Sequence, residues 1–331
     1  MAVAEGSMGL TAAVKRIRNT EMRCSMIAAP VWIAQLGLLA ALSGCSEKAG
    51  RWDHYSSGGN FVGDRPSVSP DGSTVIYSTP KSGHGDLYVI KLGGSRPAKL
   101  TSDPSYEGEA RHSKDGRKVV FVGEHEGVGH IWLMDVDGSN PKQLTDGPED
   151  DGDPSLSPDG SKIVFTRRVG DWKFRPGTAA ACEIFVMNAD GSGPKRLTDN
   201  ERTDGWASFS PDGRSILYHQ YDNGSNYIAI MDTDGANSRR IGTGSSPEFS
   251  PDGRKIAFIS GQYGREISIM SADGSGRRAI YRSEVYNAYP TFTPDGSRVL
   301  FVEMPEGQRA GSLMTLDLTT SAVERIAETD R

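Results

Sequence analysis

The sequence predicts an all-β fold, a six-bladed β-propeller of four-stranded antiparallel blades. The first of three observations behind that reading is composition: 331 residues carry 40 glycines and 18 prolines, an excess of turn formers. The second is a Ser-Pro-Asp-Gly tetrapeptide, exact or nearly so, that recurs six times at near-constant spacing. The third is the β-branched or aromatic run that follows each copy, which separates the chain from disordered sequence of similar turn content. The net charge of −6, with no basic stripe, argues against nonspecific nucleic-acid binding, which works by displacing counterions from phosphates.

The first 45 residues are of a different kind. An apolar run of 17 residues, Met26 to Leu42, is interrupted only by Pro30 and Gln35 and is preceded by Lys15, Arg16, Arg18 and Arg23. It is marginal for a bilayer span of ~20 residues and reads as a secretory signal. It ends in Leu42-Ser43-Gly44-Cys45, which resembles the bacterial lipobox. That resemblance implies cleavage before Cys45, acylation of its sulfur and a membrane anchor. Ser46 at the following position implies the outer membrane. Met22 offers an alternative start that gives a signal of ordinary length. The expected organisation is therefore a signal over 1–44, a lipid-anchored linker over 45–65 and a propeller over 66–331. Of the three cysteines, only Cys182 is then left within the folded domain, so no intrachain disulfide forms; it reads as a small buried hydrophobe.

The repeats begin at Ser69-Pro70-Asp71-Gly72 and continue through copies centred on Asp115, Asp159, Asp212, Asp252 and Asp295, at spacings of 44, 44, 53, 40 and 43 residues. Each motif is followed by a strand ending in an aromatic, from Val75-Ile76-Tyr77 to Val299-Leu300-Phe301. A second strand then ends in Asp-Gly in the four middle units, at Gly138, Gly191, Gly235 and Gly274, and a short segment such as Arg196-Leu197-Thr198 closes the unit. Proline sets φ for the turn, while Asp and Gly supply a side-chain acceptor and a positive φ. Four strands in about 44 residues is the size of a propeller blade. Blade 2 departs from the pattern with Lys114 in place of proline, and blades 1 and 6 lack the second Asp-Gly.

The combined repeat, Ser-Pro-Asp-Gly … Asp-Gly … Leu-Thr, resembles the WD-like blade of the TolB propeller family over residues 66–327. The resemblance implies a six-bladed periplasmic propeller. TolB proteins carry an α/β domain ahead of the propeller and no lipid, whereas here only Ser46–Arg65 separate the lipobox cysteine from the first blade. A Tol-system role is accordingly not carried over.

In such a blade the Pro-Asp-Gly and Asp-Gly turns share one face, and the loops of variable length share the other. Three loops of the variable face, 102–109, 146–153 and 199–206, hold 11 acids, among them Asp150, Asp151 and Asp153, against the single base Arg202. Beside them lies the longest insertion, Arg167–Ala181, with Trp172, Phe174 and Arg175. Two arrangements satisfy this composition: a binding finger beside an acidic crescent, or a finger folded back onto the acids. On the innermost strands, Ser67, Arg111, Ser155, Ser208, Glu248 and Thr291 share one position, so Arg111 and Glu248 are expected at the channel mouth, meeting either a ligand or a neighbouring loop. His125 and His130 lack a third ligand for a metal. No His-Gln cluster of the oligogalacturonate-lyase kind and no Gly-x-Ser-x-Gly elbow of a hydrolase is present.

The function expected from these residues is a monomeric, non-enzymatic module that binds an envelope protein or peptide and requires no cofactor. The alternative is a metal-assisted lyase or hydrolase of envelope polysaccharide or peptide, with a divalent cation at the channel mouth.

Overall fold

The computed structural model describes residues 65–79, 85–93, 96–103, 105–169, 181–305 and 311–328, all within one compact unit, Gly50–Arg331. Those residues form six four-stranded antiparallel sheets, each built from four strands consecutive in sequence. The expected six blades are all present, and Cys182 is buried as anticipated.

In each blade an Asp-Gly turn, preceded by proline in all but blade 2, joins the first strand to the second, and it shows why its residues are needed. In blade 1 the Ser69 hydroxyl donates to Asp71 Oδ1 at 2.5 Å, and the Ser73 amide donates to the same oxygen at 3.0 Å. The Ser69 oxygen in turn accepts the Thr74 amide at 2.9 Å, and Gly72 adopts φ +72°. These bonds hold the Asp71 carboxyl down at about 2. Proline has a second duty. A Cβ placed on Gly116 would lie 3.5 Å from Pro70 Cδ, and Gly213 and Gly253 meet Pro158 and Pro211 in the same way. Gly160, which follows the proline-free blade 2, has nothing within 4 Å. Lys114 instead stretches to the Pro211 carbonyl two blades away, at 3.1 Å.

Between blades the strands bury their β-branched and aromatic side chains in six separate clusters, one for every junction of the ring. The aromatic that ends each first run, from Tyr77 through Phe121, Phe165, Tyr218 and Phe258 to Phe301, is at most 4% exposed. Each such side chain contributes roughly 1.5–3 kcal/mol by burial. Among the described residues the ring closes without exchange of a strand. Val75, Tyr77 and Ile90 of blade 1 pack directly against Ala288, Leu300, Val302 and Leu313 of blade 6.

Candidate functional site

The innermost strands converge on the channel, and a bulge in each of blades 2–6 shapes it. Within the bulges, Glu109, Asp153, Trp206, Ser246 and Tyr289 occupy one equivalent position, with φ of 54°, 50°, 50°, 49° and 53° respectively. Left-handed backbone at bulky residues stores strain that the sheet must overcome, and bulges re-aim side chains. Arg65 takes the same place in blade 1 and is 7% exposed.

Two residues further along lie Arg111 and Glu248, from opposite blades. Their side chains meet one another. The Arg111 guanidinium donates to Glu248 Oε2 across the channel, and Arg65 Nη2 donates to the same oxygen at 2.6 Å. Arg111 Nη1 also reaches Ser155 Oγ at 3.3 Å. Burial alone would raise the Glu248 carboxyl, but the two arginines overcome it and hold the group below its ordinary range. Burial and the neighbouring Arg65 pull Arg111 downward, against Glu248. Asp153 sits beside this network. It accepts the Trp206 amide at 3.2 Å and the Thr166 hydroxyl at 3.3 Å, and burial pushes its carboxyl up despite Arg65 and Arg111.

The acids of the variable loops divide by burial, with Glu109, Asp150 and Asp153 half-buried. Asp103, Asp146, Glu149, Asp199 and Glu201 are exposed, whereas Glu107, Asp151 and Asp204 are buried. Asp151, fully buried, takes two bonds from Arg167, at 2.6 and 2.8 Å. Asp150 accepts the Gly129 amide at 2.8 Å and lies 3.4 Å from Arg168. The arginines that open the long insertion thus lie on the acids of the preceding loop. Trp172, Phe174 and Arg175 lie outside the described residues, as does Cys45.

The buried acids belong to a repeated staple that the sequence reading missed. Thr101, Thr145 and Thr198 accept the amides of Leu87, Ile131 and Ile184 at 3.0, 3.0 and 2.9 Å. Six residues after each threonine comes the buried acid, Glu107, Asp151 or Asp204. Desolvation lifts Glu107 to about 7, with Asp103 and Asp86 adding to the effect against the Thr101 hydroxyl and Lys99. The threonine-to-acid interval was the available signal. Among the described residues no group of three or more His, Cys, Asp or Glu side chains is placed to hold a metal ion.

Comparison with known proteins follows the same lines. A family model described as the TolB beta propeller domain matches residues 54–178 and 174–331. An uncharacterised protein of Agrobacterium fabrum is 31% identical over 112 residues, 32% of this chain and 38% of that protein. The Tol-Pal system protein TolB of Wolbachia pipientis from Culex pipiens is 46% identical over 48 residues, 14% of this chain and 12% of that protein. The matches therefore span well under half the length of either curated relative. Among solved structures, TolB from Acinetobacter baumannii superposes with TM-score 0.65 at 19% identity, covering 76% of this chain and 63% of that one. An oligogalacturonate lyase from Vibrio parahaemolyticus superposes with TM-score 0.56 at 14% identity, covering 80% and 77%. At such identities the likeness is one of fold. The family model, by contrast, runs through all six blades, and the chain belongs to the TolB beta propeller domain family.

Proposed function

We propose that this chain is a lipid-anchored propeller of the bacterial envelope that binds a protein or peptide on its loop-bearing face and catalyses no reaction. The observation that carries the reading is the bridge from Arg111 and Arg65 to Glu248. It spends the charges of the inner strands on one another and leaves the loops as the surface open to a partner. Loops on a rigid scaffold are where binding residues gather, and exposed aromatics anchor interfaces. Trp172 and Phe174 in the long insertion are the proposed anchors, with Arg175 of the same insertion as their charged companion. The family relationship supports the reading, since the TolB relatives are named as Tol-Pal system proteins. The lyase or hydrolase alternative gains little from the shared propeller, because one fold hosts many chemistries.

The test is crosslinking capture in envelopes of the producing bacterium, with the full chain as bait. Replacing Trp172 and Phe174 with alanine should abolish capture of the specific partner and leave the melting temperature within a few degrees. A fall in stability instead would make the insertion a structural lid. Unchanged capture with unchanged stability would reject both versions.

The anchor has its own test. Residues 1–44 are proposed to be removed and Cys45 acylated, which places the propeller in the periplasm against the outer membrane. Cys45→Ser should then accumulate as unprocessed precursor and lose the lipid mass, while the parent chain partitions into detergent. A mature N-terminus elsewhere, without lipid, would refute the anchor.

A further inference from the structure

The junction between blades 6 and 1, on the Pro-Asp-Gly face, differs from the others in ways that coincide at one place. A cavity of about 900 Å³ opens there, with Leu92 on one side and Thr315, Glu324 and Ile326 on the other. At the four junctions between blades 1 and 5 this seam is filled. A Cβ on Gly138, Gly191, Gly235 or Gly274 would lie 2.7, 2.7, 2.8 or 2.3 Å from the outer-strand carbonyl of the preceding blade. In blades 2 and 3 a lysine ties the seam: Lys142 and Lys195 donate to the carbonyls of Asp190 and Asp234, both at 3.1 Å. In blade 1 the Asp-Gly turn is lost, and Gly93 faces open space.

Two polar substitutions line the resulting cavity. Strand register puts Thr315 where the other blades carry Val89, Leu133, Val186, Ile230 and Ile269. The same register puts Glu324, the cross-strand partner of Thr315, where blades 2 and 3 carry Lys142 and Lys195. Thr315 is 4% exposed, and among the described residues its hydroxyl has no hydrogen-bond partner. A buried hydroxyl left unpaired costs free energy, and a ligand that satisfies it recovers that cost. Asp71 and Asp295 on the same wall are held at about 2, so the wall remains negative at neutral pH. Arg298 and Arg325 also line the cavity, Arg298 lying 3.8 Å from Asp317, and the four carboxylates Asp71, Asp295, Asp317 and Glu324 outnumber them.

From this geometry we propose that the seam is a binding site for an alkylammonium group. The ligand's ammonium replaces the lysine that ties the seam in blades 2 and 3, pairing with Glu324 and donating to the Thr315 hydroxyl. Its alkyl chain lies along Leu92 and Ile326. The site is on the face opposite the proposed partner loops and stands independently of them.

The experiment titrates the full chain, calorimetrically, with cadaverine, with a capped Gly-Lys-Gly peptide and with neutral 1-pentanol. Saturable one-to-one binding of an amine probe is expected, with no binding of pentanol. Cadaverine binding assigns the site to a free amine; binding of the peptide alone assigns it to a lysine of a protein. Thr315→Val and Glu324→Lys restore residues found in other blades and should fold, yet each should weaken binding about tenfold or more. The Trp172 and Phe174 double variant should bind the probe normally, which separates failure here from failure of the proposed function. No saturable binding of either amine, equal binding of pentanol, or indifference to both seam variants would overturn the proposal.

Discussion

Replacing Glu248 with alanine should lower the stability of the propeller by about 3–5 kcal/mol, the cost of leaving buried charge without its partner. Two guanidiniums donate to this carboxylate, with Asp153 as a more distant counter-charge. Arg65 and Arg111 have side chains only 8% and 12% exposed, and both donate to Glu248 Oε2. Removing Arg111 alone should be milder, because Glu248 keeps Arg65 and water reaches it more easily, at 17% exposure. Replacing Arg111 and Glu248 together with well-packed apolar residues should recover much of the loss, since a buried pair offsets its own desolvation only in part. Chemical denaturation of the single and double variants measures all three. Equal, small losses for both single variants would mean that the bridge is solvated and does not tie the blades together.

The same carboxylate sets a pH dependence whose sign can be worked out. Glu248 titrates below its ordinary value in the folded state, so its stabilisation is present above the unfolded carboxylate range and is lost as pH falls through the depressed folded value. Glu107 has the opposite sign. Its folded value of about 7 means that the folded state holds a proton the unfolded chain has released, so stability drains away as pH rises from the ordinary range of about 4.3 toward 7. His112 and His219, both pressed down to about 4 by burial, oppose Glu107 over part of this interval. The contribution is therefore isolated as a difference: the stability of the parent relative to Glu107→Gln should decline with rising pH across that window, and a flat difference would contradict it.

The fold was legible in the sequence because its determinants are local and repeated. Each Pro-Asp-Gly turn writes its own hydrogen bonds within a few residues, and the apolar runs after it specify which strands are buried on both faces. Even Lys114, the one missing proline, left a visible trace in the empty space at Gly160. The channel was only half legible. The shared inner-strand position of Arg111 and Glu248 follows from the repeat, but their contact depends on long side chains reaching across the axis. No spacing rule encodes that reach, nor the arrival of Arg65 from the segment read as linker. The acidic loops misled for a related reason. Composition counts Asp151 and Asp204 with Asp146 and Asp199, yet the first two are buried and the last two exposed. Only the six-residue interval from a threonine distinguishes the staple acids from solvated ones.

Deletion of blade 4, residues 203–243, should abolish cooperative folding of the entire ring. A linear repeat array would tolerate such a loss, because its stability is close to a sum of unit and nearest-neighbour terms and its ends are free. A closed ring has no free ends. Removing blade 4 strips the partner from Val164 and Ile184 of blade 3 and from Phe249, Ile256, Phe258 and Met270 of blade 5. Those two faces cannot simply meet, since each was shaped against blade 4 and a five-unit ring needs wider angles at every junction. The bridge from blade 2 to blade 5 would be misplaced as well, leaving Glu248 and its arginines buried without register. Among the described residues closure rests on side-chain packing at the junction of blades 6 and 1, with no exchanged strand to hold the remaining blades together. The intact propeller should accordingly melt in one transition, with calorimetric and van't Hoff enthalpies in agreement. The deleted chain should show no such transition and should expose apolar surface to a hydrophobic dye. A soluble five-unit protein melting as sharply as the parent would show that the units are independent modules rather than parts of one closed sheet assembly.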